Sequence, residues 1–114
     1  MATQSIPLNT FKTTTLDLTT TLQTVYTCPA SVTTVVLLAQ VSNINTTSSI
    51  TVSANFLRST NVVSVIKNTI IPINDAGTLL SGKLILQTGD SFSANCNSNN
   101  SGQLILSYLE TANQ

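Results

Sequence analysis

The sequence contains no histidine and no tryptophan, and only 7% of its 114 residues are charged. A typical soluble domain has about 25% charged residues. Four basic and four acidic side chains give a formal net charge of zero. Nucleic-acid binding requires a positive field that neutralises phosphates, and four scattered cations cannot provide one. We therefore expect no nucleic-acid partner. The commonest general base and the commonest metal ligand are also missing, because both are histidine.

Long apolar segments are absent as well. The longest apolar run, residues 35–39, is far shorter than the roughly 20 residues that span a bilayer. Residues 1–9 have neither the basic region nor the apolar region of a secretory signal. We therefore predict a protein made in the cytoplasm, with no membrane partner. In that reducing compartment Cys28 and Cys96 are expected to remain free thiols.

The residues that could carry chemistry are isolated from one another along the chain. Asp75 and Asp90 lie in glycine-containing turns, where carboxylates usually accept hydrogen bonds from backbone N–H groups. Asp17 and Glu110 lie within or at the end of predicted strands, and the segment around Asp75 lacks the repeated acidic spacing of a calcium loop. No histidine is present to activate a cysteine nucleophile. We predict that the protein is not an enzyme, with no catalytic, cofactor-binding or metal-binding residues and no cofactor.

Short β-branched stretches separated by turn residues dominate what is present. Hydrophobic residues make up 41% of the chain, which is too many for a disordered protein. No window has the apolar spacing of a helix, whereas residues 50–56 alternate strictly between apolar and polar. The stretches recur about every 8 to 12 residues. The pattern predicts an all-β fold of eight or nine strands, an antiparallel β-sandwich with jelly-roll-like connections.

Individual segments give more specific predictions. Residues 32–41 are almost all apolar and are interpreted as a central strand covered on both faces. Residues 62–73 are two strands, or one strand with a bulge near Lys67 and Asn68. The turn residues at 88–90 and the polar segment 97–102 are expected to connect hairpins.

We predict one sandwich domain over residues 10–114, preceded by an extended arm over residues 1–9. The arm is interpreted either as a frayed terminus or as a contact with a neighbouring subunit. The side chains expected in the core are Val35, Leu37, Val52, Phe56, Leu84, Leu86, Phe92, Leu104 and Leu106. Cys96 is expected beside them as a small buried hydrophobe.

The predicted surface is rich in uncharged polar residues. The sequence has 20 Thr, 14 Ser, 12 Asn and 6 Gln, nearly half of the chain. Such a surface is cheap to desolvate, because no ion loses its hydration. It suits a protein packed against copies of itself or against another coat, although β-propensity alone also explains the threonines. We predict a homo-oligomer, a trimer, held by apolar and Thr-rich contacts.

Five stretches between about Tyr26 and Glu110 carry a resemblance to known proteins. They are residues 26–43 (YTCPASVTTVVLLAQVSN), 67–68 (KN), 71–72 (IP), 82–91 (GKLILQTGDS) and 106–110 (LSYLE). These stretches resemble a family of small structural proteins of tailed bacteriophages, including phages of cyanobacteria. The family often has Gly where Ser31 stands and an acidic residue near Gln87.

The resemblance implies a virion protein that is assembled in the host cytoplasm. The role favoured is a capsid decoration or cement protein whose partners are its own copies and other virion proteins, such as the major capsid protein. Tail, neck and fibre positions are alternatives. A receptor-binding or carbohydrate-binding adhesin module is another alternative. It is less favoured, because a chain with no Trp and two Tyr has few rings to stack on sugars.

Overall fold

The computed structural model describes residues 9–112, in which every regular element is a β-strand. None of these residues forms a helix long and apolar enough to cross a membrane. The strands are β1 (Asn9–Asp17), β2 (Gln23–Thr27), β3 (Val32–Asn43), β4 (Ile50–Arg58), β5 (Asn61–Ile71), β6 (Ala76–Thr78), β7 (Leu84–Leu86), β8 (Ser91–Cys96) and β9 (Gly102–Ala112).

The strands form two antiparallel sheets. Sheet A has the order β1-β9-β3-β6, with β7 also paired to β3, and sheet B has the order β2-β8-β4-β5. Within the sheets, the paired strands are nested in sequence: β4 pairs with β5, β3 with β6 and β7, β2 with β8, and β1 with β9. The chain is thus one long hairpin rolled into two sheets, which is the jelly-roll arrangement. The predicted fold class is confirmed.

Two predicted hairpins are wrong. The turn before β8 and the loop after it do not join paired strands, because β7 and β9 belong to sheet A and β8 belongs to sheet B. Gly89 (φ 90°) and Asn100 (φ 60°) do reverse the chain there. Turn residues reveal where a chain changes direction, but the strand that it then pairs with depends on distant residues.

Of the two alternatives predicted for residues 62–73, two strands or one strand with a bulge, the structure shows the second. β5 is continuous, and its pairing with β4 shifts register between Val52 and Ala54, opposite Lys67 and Asn68. Asn68 has a φ of 52°, and its backbone N–H donates to Ser53 Oγ over 2.9 Å. An asparagine tolerates this left-handed conformation better than the β-branched residues around it.

The prediction that β3 is covered on both faces is wrong. The strand alternates, and Leu37 is exposed and Val35 only half-buried, so neither is a core residue. The register with β9 shifts between Val36 and Leu38, which makes Leu37 the extra residue of a bulge. Because a sheet has two faces and only one meets the other sheet, the apolar run supplies both the core and the outer surface.

The core lies between the sheets and agrees with most of the prediction. Five predicted residues are buried, and Phe56 and Leu84 are partly buried against them. The five are Val52, Leu86, Phe92, Leu104 and Leu106. Buried residues that were not predicted include Leu18, Ile50, Ile71 and Leu79. Gly102 packs against this core, since a Cβ added at Gly102 would be 3.2 Å from Ile50 Cδ1.

The predicted arm, residues 1–9, lies outside the described residues except for its last member. Asn9 pairs with Thr111 and is the first residue of β1.

Candidate functional site

Asp90 holds an ion pair that closes one end of sheet B. Its buried carboxylate accepts hydrogen bonds from Arg58 Nη2 at 2.7 Å and Arg58 Nε at 3.0 Å. It also accepts the backbone N–H of Gln87 at 2.8 Å. The hydrogen bond from Arg58, aided by Gln87 and by the guanidinium charge, holds the pKa of Asp90 below 3.8 despite burial. These contacts tie the β7–β8 turn to the end of β4.

Glu110 is the centre of a second polar network, between the sheets. Tyr26 donates its hydroxyl proton to Glu110 Oε2 over 2.5 Å, and Lys12 Nζ lies 2.9 Å from Oε1. Burial acts to raise the pKa of Glu110, but these contacts outweigh it and hold that pKa below 4.5. Burial and the neighbouring carboxylate raise the pKa of Tyr26 far above 10.0. The Tyr26 hydroxyl also contacts Thr34 Oγ1 at 2.8 Å, which links sheet B to the centre of sheet A.

The other two carboxylates have local roles. Asp75 accepts the backbone N–H of Ala76, as expected of a turn carboxylate. Asp17 accepts a side-chain hydrogen bond from Gln103 on the neighbouring strand at 3.3 Å. Within residues 9–112 no three His, Cys, Asp or Glu side chains come together in a way that could hold a metal ion.

Both cysteines are buried, free and far from a nucleophile's usual environment. Cys28 Sγ donates to the carbonyl of Val32 at 3.2 Å, and Cys96 Sγ donates to the carbonyl of Ser98 at 3.1 Å. The buried position predicted for Cys96 is confirmed. Cys28 is equally enclosed.

The outer face of sheet A, the side turned away from sheet B, carries an unexpected line of apolar side chains. Phe11 pairs with Leu109, Leu109 with Val35, and Val35 with Ile85. Paired residues lie on the same face of a sheet, so these four form one row across β1, β9, β3 and β7. We call this the apolar row. Phe11 is 74% exposed and Ile85 is 51% exposed, so both ends of the row are open.

The apolar row has apolar and uncharged polar neighbours on the strands that form it. Leu37, two residues from Val35, and the outward Ile105, four residues from Leu109, add exposed aliphatic surface. The remaining outward positions of β1, β9 and β3 are mostly Thr, Ser, Asn and Gln. Among the outward strand positions that the structure describes on this face, Asp17 is the one charged side chain, at the far end of β1.

The outer face of sheet B matches the predicted surface much better. Paired outward positions such as Ser53 with Asn95 carry hydroxyl and amide groups. Ser93, which lies opposite Asn55, is buried. Val62 and Ile70 are exposed on the edge strand β5 and lie near opposite ends of it. The uncharged polar surface predicted for the whole protein therefore describes sheet B and only part of sheet A.

Two grooves lie at the margins of the sandwich. One of about 430 Å³ is bounded by Val65, Ile66 and residues 78–84. Another of about 370 Å³ is lined by Asp17, Ser42 and Gln103 together with aliphatic residues of β1 and β9. Neither is lined by an aromatic ring, and paired carboxylates are absent from both linings. They offer no constellation for acid–base chemistry.

Sequence reasoning missed the apolar row as a site but contained part of its signal. In β9, Leu104, Leu106 and Tyr108 alternate with Ile105 and Leu109, so the sequence pattern alone separates the inward face from the outward face. An exposed apolar residue on a strand is ordinary in isolation. Only the register of four strands gathers such residues into one surface.

Comparisons with known proteins find similarity in structure and not in sequence. No protein-family model matches the chain, and no curated protein sequence matches it. A chain of the acid-stable capsid structure of Helicobacter pylori bacteriophage KHP30 superposes with a TM-score of 0.58 at 13% identity, covering 95% of this chain and 90% of that one. A chain of the disulfide-linked pili formed by Bacillus endospore appendages gives a TM-score of 0.56 at 6% identity, covering 100% of both chains. At these identities the likeness is one of fold: both neighbours have this β fold.

Proposed function

We propose that the protein is a non-enzymatic structural component of a phage virion, a decoration or cement subunit that stabilises the capsid. The observation that carries this proposal is the uncharged, partly apolar outer face of sheet A, built on a jelly-roll fold. The likeness in fold to a chain of a phage capsid structure supports the same proposal. In this proposal the protein resides in the virion, after assembly in the host cytoplasm, and its partners are its own copies and the major capsid protein.

The proposed action is stabilisation by binding. A subunit that binds the assembled shell, and not its dissociated proteins, shifts the equilibrium towards the shell by mass action. A trimer contacts several shell subunits at once, so each bound trimer can bridge neighbours. Contact surfaces without ions suit this role, because covering them removes no charge from water.

A fibre-forming role is the second candidate that the structural comparison brings, through the disulfide-linked spore pili. Disulfide linkage between copies of this chain is disfavoured by the positions of its cysteines. Cys28 and Cys96 are each only 2% exposed, so neither sulfur can reach another copy without local unfolding.

An adhesin role is disfavoured by the position of the aromatic rings. The Tyr26 and Tyr108 rings pack on each other in the interior, with centroids 4.3 Å apart. Of the aromatic side chains in the described part of the chain, Phe11 is the mostly exposed one, and its cross-strand neighbour Leu109 is apolar. Sugar recognition needs exposed rings together with convergent polar groups, and that combination is missing here.

The test is to delete the gene and to compare the particles with wild type under heat and osmotic shock. The proposal predicts particles that assemble but lose DNA at lower temperature, and that recover when purified protein is added back. Particles that survive as well as wild type but fail to adsorb to cells would overturn it and support the adhesin alternative. Particles with normal heads and missing or short tails would also overturn it and would support a tail or neck position for the protein.

A further inference from the structure

We propose that the outer face of sheet A is the surface through which copies of this chain bind one another. The inference deepens the proposed function, on which it rests for its biological setting, by naming the contact within the oligomer. The face is defined by the apolar row, Phe11, Leu109, Val35 and Ile85, together with Leu37 and Ile105.

The exposed apolar side chains on the outer face of sheet A are contiguous. A monomeric domain usually scatters its exposed apolar residues singly. Here four strands contribute side chains to one unbroken row, with β1 at one edge of the sheet and β7 at the other. Leu109 and Val35, in its middle, are half-buried by their neighbours, and Phe11 and Ile85 are open at its ends. Contiguous apolar area of this kind marks interaction sites.

The scarcity of charge on this face favours a copy of the same chain as the occupant. Two copies of a charged face repel each other, whereas on this face the strand positions within residues 9–112 include a single charged one, Asp17, away from the row. Bringing two such faces together removes hydroxyl and amide groups from water, which can pair with one another, and almost no ions. Formal net charge zero also removes the general repulsion between copies.

The area of this face is sufficient for an interface between two copies. Three long strands and the short β7, about 4.8 Å apart and about 3.3 Å per residue over nine residues, span on the order of 500 Å². Two faces together therefore cover about 1,000 Å², which is the lower limit for a specific interface between proteins. A threefold arrangement with these faces turned towards the axis would use the same surface.

The experiment measures mass in solution for matched pairs of variants. Sedimentation equilibrium follows the 12.0 kDa chain over a wide concentration range. Ile85→Ser changes the apolar row, and its control, Ile70→Ser, changes an isoleucine that is 68% exposed on an edge strand of sheet B. Phe11→Ser has Val62→Ser as its control, since Val62 is 58% exposed on that same strand of sheet B. Thermal unfolding of each variant establishes that it is folded.

We expect the wild-type protein and both controls to be oligomeric. Ile85→Ser and Phe11→Ser are each expected to weaken association by at least about tenfold, as truncation of an anchor residue in an interface does. Equal masses for the row variants and their controls would overturn the inference. A wild-type monomer at about 100 µM would also overturn it, because it would leave the row to another occupant.

Two further measurements identify that other occupant and keep this inference separate from the proposed function. A chain that starts at residue 9 tests whether residues 1–8 cover the row: a mass that rises on truncation contradicts self-association through an open row. Binding of each variant to particles that lack the protein tests the virion role. Row variants that stay oligomeric but lose particle binding contradict the inference and support the capsid role. An oligomer that depends on the row but never binds particles supports the inference and contradicts the capsid role.

Discussion

Sheets A and B share one core but present different surfaces to their surroundings. The outer face of sheet B carries paired hydroxyl and amide side chains, such as Ser53 with Asn95. The outer face of sheet A carries the apolar row from Phe11 to Ile85. Both faces are nearly free of charge, so composition alone does not distinguish them. The comparison teaches that strand register, rather than composition, decides which face of a protein with few charges offers an apolar surface to a binding partner.

The sheets also differ in how regular their edges are. β1 pairs with β9 through nine consecutive positions without a register shift. In sheet B the pairing of β4 with β5 shifts twice, and that of β2 with β8 shifts once. Bulges twist an edge and hinder further strand pairing. The edge of sheet B formed by β5 is thus protected, whereas β1 is regular where it meets the apolar row.

The largest effect is expected from comparing the two faces of a single strand. Leu106 is fully buried in β9, and its neighbour Ile105 points outward and is 38% exposed. Leu106→Ala is expected to lower the free energy of unfolding by about 2–5 kcal/mol, since it leaves a cavity in the shared core. Ile105→Ala should cost the isolated subunit less than about 1 kcal/mol. Denaturant unfolding at low protein concentration measures both, and equal losses would contradict the assignment of faces.

The next effect sharpens the account of sheet B. Asp90→Asn removes the charge that Arg58 and the backbone N–H of Gln87 hold in place. We expect a loss of about 1–3 kcal/mol, because a buried charged acceptor is replaced by a weaker one. Asp90 has a lowered pKa in the folded protein, so its contribution is present above pH 3.8 and is lost as the pH falls. Urea unfolding as a function of pH should therefore be less acid-sensitive for the variant, and an unchanged pH profile would contradict the role of the ion pair.

A smaller effect tests the network that joins the sheets. Tyr26→Phe removes the hydroxyl that donates to Glu110 and contacts Thr34. The expected cost is about 1–2 kcal/mol, the value of a partly buried hydrogen bond to a charged group. The folded protein holds the pKa of Glu110 below 4.5, so this stabilisation is lost on acidification, and the variant should lose less of it.

Tyr108→Phe is the matched control for that variant. Its hydroxyl contacts Thr14 Oγ1 at 3.0 Å and not Glu110. It should therefore lose stability without changing the acid dependence. A flatter acid profile in Tyr108→Phe than in Tyr26→Phe would refute the assignment.

The smallest effect concerns two turns. Gly89 has a φ of 90°, so Gly89→Ala should destabilise by about 1 kcal/mol through backbone strain. Gly82 has no positive φ and open space around its Cα, so Gly82→Ala should be neutral or stabilise by a few tenths of a kcal/mol. Thermal unfolding compares them, and the reverse order would contradict the turn geometry.

Sequence was sufficient for the fold class because the signals for it are local. Alternation over Leu104, Leu106 and Tyr108 identifies a core face directly, and Lys67 with Asn68 interrupts an apolar pattern visibly. The bulge at Leu37 was invisible, because its neighbours are apolar too and no alternation is broken. The apolar run therefore predicts core positions for Val35 and Leu37, and the structure places both outside the core.

The apolar row could not be predicted from the sequence for a related reason. Its paired members are between 50 and 98 positions apart in the chain, so no local pattern brings them together. Hairpin topology failed in the same way: the turns were visible, but the partner strands were not. The contacts of Asp90 and Glu110 likewise depend on side chains from other strands.

The most direct test of the central claim is thiol labelling of the assembled protein. The native cysteines are buried, so a maleimide reports on an introduced cysteine alone. Ile85→Cys reports on the apolar row, and Ile70→Cys reports on sheet B. The account predicts that both label rapidly in dilute monomer, and that in the oligomer or on particles Ile85→Cys becomes protected while Ile70→Cys stays reactive. Equal labelling of the two positions in the assembled state would contradict it.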